Sequence, residues 1–256
     1  MDRVKTDWTI DGLPDETQQL LRAYVKDVTD IYGDQLEGLI LYGSAVRGEF
    51  LPGRSNVNVL FVLASYDVAV LKNYSGLHRR WSKEQIVVPL FVTKDDLQSA
   101  SLVFPLEYLE IHECHRLLWG QDPFVGFKVD QRHLAGEVMQ SLRGNLLRVR
   151  QRFVEGGGTE EAITILLPLS VTAILPCLRG VQRLLGRPVV SHGEPLLKDL
   201  EALWAVDLSG LRDALSLKRG QISPGQKEVP RLMERYLESL ERLVRKVEEQ
   251  LSQGKG

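Results

Sequence analysis

The chain has little cysteine, almost no net charge and no unbroken apolar stretch of membrane-spanning length. Among its 256 residues are only two cysteines, Cys114 and Cys177. They lie far apart in apolar or mixed surroundings, which argues against a disulfide framework and fits buried thiols of a reducing compartment. The formal net charge is −2, so no global basic field exists to draw in a phosphate backbone, and nucleic acid is not expected as a partner. The longest apolar run, Ile163 to Leu178, is interrupted by Pro168 and Pro176 and by a threonine pair. It is expected to be a bent or interrupted core helix rather than a membrane span. The opening stretch MDRVKTDWTIDGLPDE is polar and lacks the apolar centre of a signal peptide, so a cytoplasmic location is expected. With 43% hydrophobic and 26% charged residues the composition is that of an ordinary globular protein, which excludes disordered and fibrous classes.

The apolar spacing divides the chain into two styles. Residues 14 to 32 repeat at helical intervals (Leu20, Leu21, Tyr24, Val25, Val28, Ile31), opened by Pro14 and closed by Gly33. Residues 36 to 42 and 57 to 63 are strand candidates, joined by the glycine-rich segment GSAVRGEFLPG. A helix is predicted over 71–83. A third strand is predicted over 86–93, where Pro89 points to an edge or a bulge. A helix over 105–118 follows, then a loop over 120–127. From there on only helical patterns occur: 132–154, a break at EGGGT, 160–185, one or two shorter helices within 196–217, and 229–251. The predicted fold class is α+β, with a small mixed-sheet domain over 1–127 and an all-α helical bundle over 128–256.

One segment carries chemistry: LILYGSAVRGEFLPGRSNVNVLFVL, from Leu39 to Leu63. Gly43 permits a close backbone approach, and Ser44 is expected to cap the short helix that begins at Ala45. Backbone amides at such a turn suit a phosphate, with Arg47 adding positive charge; an ordinary turn would show the same residues. Eleven residues after Ser44 comes Ser55-Asn56-Val57-Asn58. Asn56 and Asn58, two apart on a strand, are expected on one face of it.

On these residues, Gly43-Ser44, Arg47-Gly48 and Ser55-Asn56-Val57-Asn58 in that order and spacing, the chain resembles the DNA polymerase beta-like nucleotidyltransferases. These include the kanamycin nucleotidyltransferases and the aminoglycoside adenylyltransferases. The resemblance is tight over residues 36 to 63 and loose to about residue 125. It implies a nucleotidyltransferase domain in which Gly43, Ser44 and Arg47 bind nucleotide. In the family two aspartates hold divalent metal where this chain has Asn56 and Asn58, and a third carboxylate comes from a neighbouring strand. An asparagine keeps the oxygen but not the charge that Mg²⁺ needs.

The third strand, 86–93, holds no acid. Asp95 and Asp96 lie just past its end, where helix capping or solvent exposure is expected. The expectation is therefore a pseudoenzyme that binds a nucleotide or a partner protein, with no confident catalytic residue, no metal ligand and no confident cofactor. The alternative is an active transferase moving a nucleoside monophosphate to a small-molecule, RNA or protein hydroxyl, with Mg²⁺ and ATP or another nucleoside triphosphate as its cofactors.

Lesser candidates have plainer readings. His112, Glu113, Cys114 and His115 are too close together for a zinc site and lack a distant partner. Glu107 and Glu110 sit on a helix that would border the cleft, so either is a candidate general base, although helix-surface carboxylates are far commoner. Arg187 to His192 has the Arg-x4-His spacing of one class of helical ribonucleases, but Pro188 and two valines place it in a loop. Arg54, in a Pro-Gly loop, is expected to be solvated. The alternating charges from Arg231 to Glu249 suggest a solvated helix face or a dimer seam; the sequence leaves the oligomeric state open, a homodimer through the helical domain being one assembly it allows.

Overall fold

Leu36–Tyr42 (β1), all strand-forming or apolar apart from Glu37 and Gly38, is the inner strand around which the first half of the protein is built. The computed structural model describes residues 8–225 and 228–253, so the first seven residues of the polar N-terminal stretch lie outside the described residues. Asn58–Leu63 (β2) pairs antiparallel with β1 on one side, and His115–Gly120 (β4) does so on the other. The short Leu90–Val92 (β3) runs parallel to β2, giving a mixed sheet of order β3-β2-β1-β4.

Alternation along the strands supplies two apolar faces. Leu39, Leu41, Val59, Phe61 and Leu63 pack with Asp15–Tyr32 (α1) and Val68–Trp81 (α3), where Tyr24, Tyr74 and Trp81 are buried. Ile40, Leu60 and Val62 pack with Lys94–Val103 (α4) and Pro105–Glu113 (α5) through Leu97, Tyr108 and Ile111. A four-residue helix, Ser44–Arg47 (α2), follows β1 directly.

The chain divides into two units, Met1–Val129 and Asp130–Gly256. The second is helical: Gln131–Glu155 (α6), Glu160–Leu184 (α7), Gly193–Trp204 (α8), Ser209–Lys218 (α9) and Val229–Gln253 (α10). Inside it a buried polar trio joins three long helices. Tyr236 of α10 donates its hydroxyl to Ser170 Oγ of α7 at 2.6 Å, and Ser170 donates to Asn145 Oδ1 of α6 at 2.7 Å.

Four local expectations are corrected. The helix predicted over 105–118 stops at Glu113, and His115–Gly120 is a strand because β1 offers an open edge to pair with. The strand predicted over 86–93 is laddered only at Leu90–Val92, with one further bridge from Ile86 to Val57, since Pro89 has no N–H to give. It does lie at the sheet edge. Ser44 does not cap α2; Gly43 holds the N-cap position and no side chain bonds there. Pro168 and Pro176 do not interrupt α7, which is a single 25-residue helix.

Candidate functional site

The register of the sheet decides what meets at the end of β1. Tyr42 pairs with Asn58 on one side and with His115 on the other, so the turn after β1, the head of β2 and the start of β4 share one end of the sheet. By the two-residue alternation, Tyr42 and Asn58 face the α5 side, as Ile40 and Leu60 do. Glu107 of α5 stands close enough to Tyr42 to help raise that phenol's pKa, after burial as the larger cause.

Gly43 adopts φ +82°, a conformation that costs side-chain-bearing residues strain. A Cβ placed there would stand 2.9 Å from Asn58 Nδ2, so the asparagine amide rests directly against the turn. Ser55, in the position of the motif serine, is buried and structural: its Oγ accepts from Leu51 N at 3.0 Å and closes the loop before β2. Asn56 lies just ahead of the ladder and is exposed, whereas Asn58 is half-buried. Among the described residues neither amide has a hydrogen-bonding partner for its side chain.

Arg47 is placed differently from the expectation that it faces a phosphate. Its guanidinium is 7% exposed and forms a 2.8 Å ion pair with Glu110 of α5, while also donating to the Glu110 carbonyl at 3.1 Å. A buried charge is retained only when a partner compensates its lost hydration. Arg47 and Glu110 do that for each other, and together they fasten α2 to α5. Glu110 is thereby committed to Arg47. Glu107 differs: burial of its carboxyl raises its pKa, although the residue as a whole remains exposed.

The other candidates scatter. Because β3 runs parallel to β2, its C-terminal end lies beside Val62, at the opposite end of the sheet from Asn58. Asp96 there accepts from Thr93 N at 2.8 Å, while Asp96 N donates to Thr93 Oγ1 at 3.1 Å, a reciprocal cap on α4. His115 lies on β4, its Nδ1 near the Ile111 and His112 carbonyls and its Nε2 3.2 Å from Asp122, so it fastens the start of the strand. Arg187 pairs with Asp199 at 3.0 Å, and His192 is the N-cap residue of α8.

A divalent cation at the head of β2 would find two neutral amides and no carboxylate from β3. Among the described residues no three His, Cys, Asp or Glu side chains are grouped to hold a metal. The donor set at Asn56 and Asn58 does not fit Mg²⁺, which seeks anionic oxygen.

No protein-family model matches the chain, and no curated protein sequence does. Among solved structures it is similar to the spectinomycin adenyltransferase AAD(9) from Enterococcus faecialis, solved with ATP and spectinomycin. The identity is 11%, the TM-score is 0.53, and the match covers 86% of this chain and 97% of that one. The likeness is one of fold: a small mixed α/β unit followed by a helical one.

Proposed function

We propose that this nucleotidyltransferase-fold protein works in the cytoplasm as a binding protein, engaging a nucleotide or a partner protein without metal-dependent nucleotidyl transfer. The observation that carries this reading is the chemistry at the head of β2, where Asn58 lies against the Gly43 turn and no acid stands in register beside it. In-line displacement at a triphosphate depends on cations to neutralise the developing charge, and the ligands' contribution is negative charge. Two amides supply none. Gly43 and Ser44 remain as a turn that a phosphate would approach, and Arg47 acts as the residue that positions the turn on α5.

Calorimetric titration with ATP, the nucleotide present in the structural neighbour, tests the reading. Binding is expected to be absent or independent of Mg²⁺. Asn56→Asp with Asn58→Asp is expected to make Mg²⁺ raise ATP affinity by about tenfold or more. Tight Mg²⁺-dependent binding by the unaltered protein would overturn it.

A second reading, an active transferase, is favoured by one observation: the Glu107 carboxyl, its pKa raised by burial, stands beside Tyr42 at the same end of the sheet. Such a group is suited to take a proton from an acceptor hydroxyl. Incubation with α-labelled ATP and candidate hydroxyl acceptors separates the two. Label transferred by the unaltered protein and lost in Glu107→Gln would establish the second reading.

A further inference from the structure

Two long helices of the second unit meet solvent in opposite ways. α10 presents charge outward, with Arg231, Glu234, Arg235 and Glu238 all exposed, as a surface helix does. α7 carries no charged residue from Ala162 to Leu178, yet less than half of its most apolar part is buried. Its outward face keeps Ile165 58% and Leu169 66% exposed, and Leu147 of the adjoining α6 is 57% exposed. Between the two helices runs a groove of about 610 Å³ whose walls include Val149, Ala162, Ile165, Leu166 and Leu169, with Arg148 at its edge. A helix that is apolar all round is ordinarily covered on every side.

We propose that a second copy of this chain covers this face, the two α7 helices packing antiparallel about a two-fold axis near Ile165 and Leu166. Two features of the face fit itself. The first is shape: in that register Leu169 comes over the small Ala162 of the partner subunit, and the exchange repeats on the other side of the axis. The second is charge. The Asn145–Ser170 contact aligns α6 with α7 and sets Arg148 level with about residue 167. The two-fold then brings Glu161 of the partner subunit within about one turn of it. Among the described residues neither Arg148 nor Glu161 has an ion-pair partner in its own chain, whereas the nearby Arg152 and Glu155 pair with each other. An apolar centre edged by complementary charges is the anatomy of a two-fold protein interface, and edge charges of both signs distinguish it from a face made for an anionic membrane.

Sedimentation velocity of the full chain from roughly 1 to 100 µM, a range that spans micromolar affinity, tests the proposal. The unaltered protein is expected to dimerise, and Ile165→Glu with Leu169→Glu to be monomeric throughout; both positions are exposed, so the circular-dichroism spectrum should be retained. Arg148→Glu should raise the dissociation constant about tenfold, and adding Glu161→Arg should recover most of that loss. The charge pair decides the matter even if the double glutamate variant fails to fold. A monomeric unaltered protein, a charge reversal that Glu161→Arg does not rescue, or a dimer that persists with both glutamates would overturn the proposal. So would co-flotation of the unaltered protein with phosphatidylglycerol vesicles that is lost in the glutamate variant, which would mark the face as a lipid contact.

Discussion

The two ends of the sheet carry side chains of nearly the same shape and opposite chemistry. At the head of β2 stand Asn56 and Asn58, neutral amides against a glycine turn. Just past β3 stand Asp95 and Asp96, carboxylates at the start of α4. In the sequence the acids look like substitutes for the missing ones. In space the parallel pairing of β2 and β3 carries them the length of β2 away, roughly 17 to 20 Å at the rise of an extended strand. Strand direction, more than proximity in sequence, decides which charges share a site.

The sharpest way to break this contrast is at the buried Arg47–Glu110 ion pair on the amide end. Glu110→Ala leaves the Arg47 guanidinium buried without its carboxylate and is expected to cost about 3–5 kcal/mol in denaturant unfolding. A loss under about 1 kcal/mol would mean that the arginine swings into water and that α2 is not fastened through it. Gly43→Ala should cost about 1–3 kcal/mol, from positive φ and from the Cβ meeting the Asn58 amide. Restoration of stability by trimming that amide, in Gly43→Ala with Asn58→Ala, would assign part of the cost to the contact.

The smallest effect belongs to the carboxylate end. Asp96→Asn keeps an oxygen that accepts from Thr93 N and loses only the negative charge in the first turn of α4, so it should cost about 0.3–1 kcal/mol at neutral pH. The Thr93 backbone N–H is the main cause holding the Asp96 carboxyl below its ordinary range; the Thr93 and Tyr66 hydroxyls add to the lowering, while burial opposes it. Its stabilisation is therefore present above the usual aspartate pKa and is lost as pH falls through the lowered folded value. The difference between Asp96→Asn and the unaltered protein should close in acid; a gap that stays constant with pH would show that the carboxylate charge contributes nothing.

Much of the first unit was legible because its signals are local. β1 runs over the residues its apolar pattern marks, α1 begins after Pro14 and ends before Gly33, and β2 starts one residue later than expected. β4 was not legible. His115–Gly120 is short and its two adjacent leucines suit a helix as well as a strand, so only its pairing with β1 decides. At the candidate site, the turn and the asparagine pair were visible as residue types. The engagement of Arg47 by Glu110 was not, since the two lie 63 positions apart and meet only when α5 packs on the sheet. The acidic residues on that helix were the one available hint.

The hydroxyl and amide groups shared among Asn145, Ser170 and Tyr236 have a mechanical consequence for the helical unit. Leucine-rich surfaces tolerate sliding, because one methyl group replaces another at little cost. A one-turn slip of α7, about 5.4 Å, would instead leave three dehydrated polar groups unanswered at once. α6, α7 and α10 are thereby held to a single axial alignment, and any force applied to one of them is passed to the other two.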